Sequence, residues 1–250
     1  MHLMTLSKNM NDLIVWVIIY AFSNTIRISA IINDNTISRD GSMYLSQAER
    51  WFDLQNYSLA LKSEIIVPPL PLWSIKSLMS FGFNSEVCAR SLSYYFGFLL
   101  LVVIYCTANM LFRNKGISFF AVLLFYLNPN IILYSIEPLR EIYYLFFFSI
   151  IVFYSISLNR AIKLYYFLIV SLSIAAAIMC RFESIEFLIL FIIYNAFIYF
   201  NAEKKHTMRL YALICCLTIP VFLFALNNAF ECGDILIMNF FNRVCSILQG

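Results

Sequence analysis

Three short stretches gather acids and arginines in a chain that is otherwise apolar. SIEPLREIYY, residues 135–144, holds Glu137, Arg140 and Glu141. CRFESIEF, residues 180–187, holds Arg181, Glu183 and Glu186. SRDGSMYLSQAERW, residues 38–51, holds Arg39, Asp40, Glu49 and Arg50, with Tyr44 among them. A carboxylate can act as a general base or orient an acceptor hydroxyl. Arginines can hold a phosphate by forked hydrogen bonds. A phosphate carried on a lipid lies at headgroup depth, so this set of residues suits transfer of a group from a lipid phosphate to an acceptor. Each residue also has a plainer use. Acids in a first helical turn are favoured by the helix dipole, and Asp is a common helix N-cap. Taken together, ionisable groups at membrane depth are costly and face a cavity or a partner. Three such clusters on one side of a membrane point to one polar site.

The elements that must position these residues follow from composition. The chain has 250 residues, 62% hydrophobic and only 12% charged. A soluble domain of this size needs far more polar surface, so the membrane is the solvent that fits. Apolar runs predict spans at about 13–32, 90–112, 117–135, 141–158, 164–180, 185–201 and 209–227, with a weaker piece near 235–248. Most approach the roughly 20 residues that a helix needs to cross. Their length and continuity argue for helices over barrel strands. Lys8 precedes Leu13–Phe22 without a clear cleavage site, so the first run reads as an uncleaved span.

Lys and Arg in the short loops set the orientation. With Lys8 inside, Arg113 and Lys115, then Arg160 and Lys163, then Lys204, Lys205 and Arg209 also fall inside, and only Arg140 and Arg181 occupy short outer loops. The expected fold is an all-α polytopic membrane protein of about seven transmembrane helices, with its N-terminus cytoplasmic. The whole of 1–250 forms one module: 33–89 is a long first outer loop, and 228–250 is an outer-side or truncated C-terminal segment. Pro138 suits the opening turn of a helix, which would set Glu137 and Glu141 on one face beside Arg140.

Other classes fall away. The net charge of +3 is small and scattered, which gives no nucleic-acid footprint. The seven cysteines form no C-x-x-C and read as reduced, mostly buried thiols. His2 and His206 lie too far apart in sequence for metal-ligand spacing, so no zinc site is expected.

The order of several small motifs resembles the GT-C-fold glycosyltransferases, specifically bacterial relatives of the dolichyl-phosphate-mannose protein mannosyltransferases and of the lipid A aminoarabinose transferases. The motifs are Asp40, Tyr44 and Ala48 in the first loop, then Pro68, Pro69 and Leu70, then Ala89 and Arg90. Pro129 follows, then Ser135, Glu137, Leu139 and Glu141, then Arg181 with Glu183. The resemblance runs from about residue 10 to about residue 200 and implies an inverting transfer of a sugar from a polyprenyl-phosphate donor at the outer face of the bacterial cytoplasmic membrane. It implies that Asp40 is the catalytic acid of the first loop and that Arg90, Arg140 and Arg181 stabilise the phosphate. Glu137, Glu141 and Glu183 would orient the sugar or those arginines, and Tyr44 would stand on the acceptor side. Interfacial amphipathic helices are expected at 47–61 and 71–81, anchored by Trp51, Phe52 and Trp73. Arg27, at the outer end of the first span, is a weaker candidate that could instead snorkel to the interface.

The expected partners are a polyprenyl-phosphate-linked sugar, a lipid, glycan or protein acceptor, and membrane lipids. No cofactor is expected, with a divalent metal left open. The chain departs from its relatives in three places. Val67 stands where many have a basic residue, for which Lys62 or another residue would have to substitute. Gly41 stands where relatives commonly have a second acid. Relatives also continue through several more spans, so the chain reads as lacking the C-terminal part. Two alternatives are a transporter or flippase for a lipid-linked sugar, which needs charges along a path through the membrane, and a truncated non-catalytic relative.

Overall fold

The computed structural model describes residues 17–18, 21, 24–29, 37–55, 68–160, 163–184, 189–191 and 193. Lys62, and the spans expected near 185–201 and 209–227 apart from residues 189–191 and 193, lie outside the described residues. So does the segment 228–250. Among the described residues the fold is all-helical.

Residues 24–29, in the first expected span, are helical. The first long helix, α1, is Arg39–Leu54. Ser38 caps it, its side chain accepting a hydrogen bond from the Gly41 amide, and Gln55 ends it in the left-handed region. Helix α1 therefore starts eight residues before the expected 47. The same cap displaces Asp40 from the N-cap position and leaves it exposed in the first turn. Its buried residues include Gly41, Tyr44, Leu45, Ala48 and Trp51, at helical spacing, opposite exposed Arg39, Ser42, Ser46, Arg50 and Asp53.

Helix α2 is Pro69–Met79. The Pro68-Pro69 pair opens it, because a proline at the first helical position gives up an N–H that has no partner there anyway. Trp51 of α1, 1% exposed, lies in a core with Tyr44, Leu72, Ile75, Cys88, Ala89, Leu139 and Met179. Lys76 Nζ stands 5.0 Å from its ring centroid. Trp51 is thus an internal packing residue and not a membrane anchor. Trp73, 42% exposed, lies at the surface, as an anchor requires.

Helix α3, Ser85–Phe112, is capped by Asn84, which accepts from the Glu86 amide at 3.0 Å. A two-residue turn at Arg113 and Asn114 follows, and Asn114 caps α4, Lys115–Tyr126. The third expected span, 117–135, is not one helix. Asn128 caps a new helix, Pro129 occupies its first turn, and α5 is Pro129–Ile136, bent 72° from α4. Proline cannot continue the helix of the residues before it, so the apolar run breaks there.

Pro138 acts in the same way at the other end of α5. Glu137 is extended, at φ −87° and ψ 153°, the conformation that a following proline enforces. Pro138 therefore stands in the connection between helices and does not open the next one, and Glu137 and Glu141 do not share a helical face. Helix α6, Glu141–Arg160, and helix α7, Leu164–Cys180, complete the described bundle, followed by the 3-10 turn Phe182–Ser184.

Ser85–Phe112 and Glu141–Leu158 are each long and apolar enough to cross a membrane, and the bent pair α4–α5 makes a third candidate. Phe96 fastens α3 to α6 through Tyr143, at a ring separation of 4.4 Å, and Phe146, at 5.3 Å. On α7, Ser171, Ser173, Ala175, Ala176 and Ala177 are buried. Such small side chains allow close helix approach inside a membrane.

Candidate active site

One core joins α1, α2, the start of α3, the turn after α5 and the end of α7. Leu139 and Met179 contribute to it beside Arg140 and Arg181, and Tyr44 packs there from α1. The topology thus brings residues 40–44, 137–141 and 181–183 to one end of the bundle.

Tyr44 is 4% exposed and sits at the meeting point of the charges. Burial raises its hydroxyl to about 12, Glu141 and Asp40 act in the same direction, and Arg140 and Arg181 oppose them. The phenol is therefore a neutral O–H donor at physiological pH. Arg140 Nε lies 3.7 Å from Glu141 Oε1, and Arg181 Nε donates to Glu183 Oε2 at 3.3 Å. Burial pushes the Glu183 carboxyl up, but a backbone hydrogen bond and the guanidiniums of Arg181 and Arg140 outweigh it and leave it below the usual range. Arg140 thus acts on Glu183 as well as on Glu141, which ties the two sequence clusters together. Arg181 also stands over the Tyr144 ring, 5.7 Å from its centroid.

The turn after α5 holds unspent hydrogen-bonding capacity. Glu137 is 7% exposed, and its Oε2, Arg140 Nε and Glu141 Oε2 are buried without a hydrogen bond among the described residues. Buried polar groups are normally paired. One oxygen of each carboxylate and the guanidinium Nε left in this state, within residues 137–141, make a polar lining suited to a charged or hydroxyl-rich ligand.

Not every expected residue joins this cluster in the same way. Arg90 donates to Glu86 Oε1 at 2.9 Å, one turn earlier on α3. Sequence reasoning missed Glu86, although its i,i+4 spacing to Arg90 was readable. It also missed the bond from the Ser85 hydroxyl to Glu49 Oε1, which ties α1 to the start of α3 across 36 residues of sequence. No local pattern signals that pair.

Arg27 does not snorkel. Its side chain is 0% exposed, with its guanidinium 5.2 Å from the Tyr94 ring centroid and 4.9 Å from that of Tyr126. Its Nη1 donates to the Tyr94 carbonyl at 3.3 Å. Gly97 makes the space: a Cβ there would stand 2.8 Å from Arg27 Nη2 and 2.7 Å from Ser135 Cβ.

Comparison with known proteins decides the family. The family model of the dolichyl-phosphate-mannose-protein mannosyltransferases matches residues 67–226, more than half of the chain. The chain belongs to this family. The mannosyltransferase match covers Arg90, the 137–141 turn, Arg181 and Glu183, while Asp40 and Tyr44 precede it. Membership makes the chain a membrane glycosyltransferase in kind, in agreement with its apolar helices. No curated protein and no solved structure matches it.

Proposed function

We propose that the chain transfers a sugar, with inversion, from a polyprenyl-phosphate donor to an acceptor at the outer, periplasmic face of the bacterial cytoplasmic membrane. The observation that carries this reading is the turn after α5. Glu137, Arg140 and Glu141 keep buried polar atoms without hydrogen bonds among the described residues, and Arg140 also acts on the Arg181–Glu183 pair across the bundle end.

The placement of the side chains supports the following roles. Asp40, exposed in the first turn of α1, takes the acceptor proton as the acceptor atom attacks the anomeric carbon. The new bond forms to that carbon, the bond from the carbon to the phosphate oxygen breaks, and polyprenyl phosphate leaves with the electron pair. Arg140 and Arg181 stabilise the negative charge that grows on the phosphate, with Arg90 as a third cation on α3. Glu137, Glu141 and Glu183 orient the sugar and hold the arginines. Tyr44, neutral and amid the cluster, donates its O–H on the acceptor side. Lys62 is the further basic residue proposed for the loop.

Release of polyprenyl phosphate from a panel of polyprenyl-phosphate sugars tests this, with the full chain in lipid. Asp40→Asn should lower turnover by on the order of 10²–10⁴ with donor binding kept, the usual loss when a positioned base is removed. Unchanged turnover in that variant removes Asp40 from the mechanism. No release from any donor by folded wild-type protein removes the transferase reading for this chain.

A further inference from the structure

The first turn of α1 and the turn after α5 touch where one glycine leaves no room for a side chain. A Cβ placed on Gly41 would stand 2.9 Å from Pro138 Cγ, 2.9 Å from Ile37 Cγ2 and 3.1 Å from Ser38 Oγ. Backbone conformation does not explain the glycine, because Gly41 is helical and lacks a positive φ. Within a helix, alanine is favoured over glycine by about 1 kcal/mol. Helix propensity thus argues against glycine here, and the contact with Pro138 argues for it. Gly41 follows Asp40 directly, and Pro138 stands between Glu137 and Leu139, two residues before Arg140.

We propose that Gly41 is a positioning residue: its missing side chain lets α1 seat its first turn on Pro138, which fixes Asp40 against the turn that carries Glu137 and Arg140. The inference rests on Asp40 acting in the proposed transfer. A side chain at position 41, directly after Asp40, would meet Pro138 Cγ at 2.9 Å.

The test uses the full chain in lipid nanodiscs, as wild type, Gly41→Ala, and Gly41→Ala with Pro138→Ala. Amide hydrogen exchange over residues 39–45 is read independently of activity. A local propensity effect alone would slow exchange in Gly41→Ala, whereas displacement from Pro138 speeds it. The expected result is exchange at least threefold faster, with part of the change reversed by Pro138→Ala, because Ile37 Cγ2 still stands 2.9 Å from the new methyl. Turnover of Gly41→Ala should fall on the order of tenfold at saturating donor, with the donor KM within about twofold. Slower or unchanged exchange overturns the proposal, as does faster exchange with unaltered turnover or without rescue. If wild type releases no lipid phosphate from any donor, the transfer reading fails, and Gly41 loses its role in catalysis even where the exchange result upholds the contact.

Discussion

Tyr44 is a hydroxyl held neutral by burial among charges of both signs. Its value of about 12 lies above the ordinary tyrosine value near 10, so it contributes stability that is complete below about pH 10 and lost as pH rises through about 12. Tyr44→Phe keeps the ring in its core and removes only the O–H. We expect turnover to drop on the order of tenfold, the worth of one hydrogen bond, with a pH–rate profile below pH 9 of unchanged shape. A shifted limb in that range would show that Tyr44 titrates in the reaction. Glu183 runs the other way. Its depressed carboxyl contributes stability that is present above the usual carboxylate range and lost as pH falls through its lowered folded value. Glu183→Gln should therefore flatten the fall in thermal stability between neutral and acid pH, and an equally steep fall in the variant would count against the Arg181 pairing. Arg140 and Arg181 were legible as candidates from their sequence clusters. That Arg140 acts on Glu183 was not legible, because nothing local connects the two.

The helices of the capped end were partly readable. Tyr44, Ala48 and Trp51 repeat at helical spacing, although the helix expected at 47–61 came from the family resemblance, and Asn84, Asn114 and Asn128 are ordinary start signals. The start of α1 was misjudged because its first turn is charged and its cap, Ser38, precedes the apolar periodicity. Ser38→Ala should destabilise the first turn by about 1 kcal/mol, seen as faster amide exchange at residues 39–42 with the rest of α1 unaffected. Trp51→Ala removes the centre of the core that joins five segments. A loss of about 3–5 kcal/mol is expected, measured by thermal unfolding in detergent. A loss below about 1 kcal/mol would mean that Trp51 faces lipid after all. The break at Pro129 is signalled by Asn128, Pro129 and Asn130, which interrupt the apolar run, but hydropathy averaged over a span does not register a missing N–H.

Across the whole bundle, α5 is gripped near its C-terminal end. Ser135 lies against Gly97, which also faces Arg27, and Pro138, just past that end, lies against Gly41. Helices α3 and α1 therefore bear on α5 and on the turn that carries Glu137 and Arg140. Gly97→Ala should lower stability by about 1–3 kcal/mol through overpacking. In an Arg27→Ala background the penalty should shrink but persist, because Ser135 Cβ still stands 2.7 Å from the new methyl. Thermal unfolding of the four proteins as a double-mutant cycle reads this directly, and strict additivity would separate Arg27 from Gly97.

Composition and charge patterning determined the solvent of this chain, the helical class and the three clusters that meet in the site. Apolar length and ion-pair chemistry are properties of short segments, so they can be read along one dimension. Tertiary structure alone decided which charges face one another, that Arg27 is enclosed by aromatic rings, that Trp51 is internal and that positions 41 and 97 admit no side chain. Each of these depends on atoms far apart in sequence approaching within a few ångströms, and no periodicity or residue type encodes that distance.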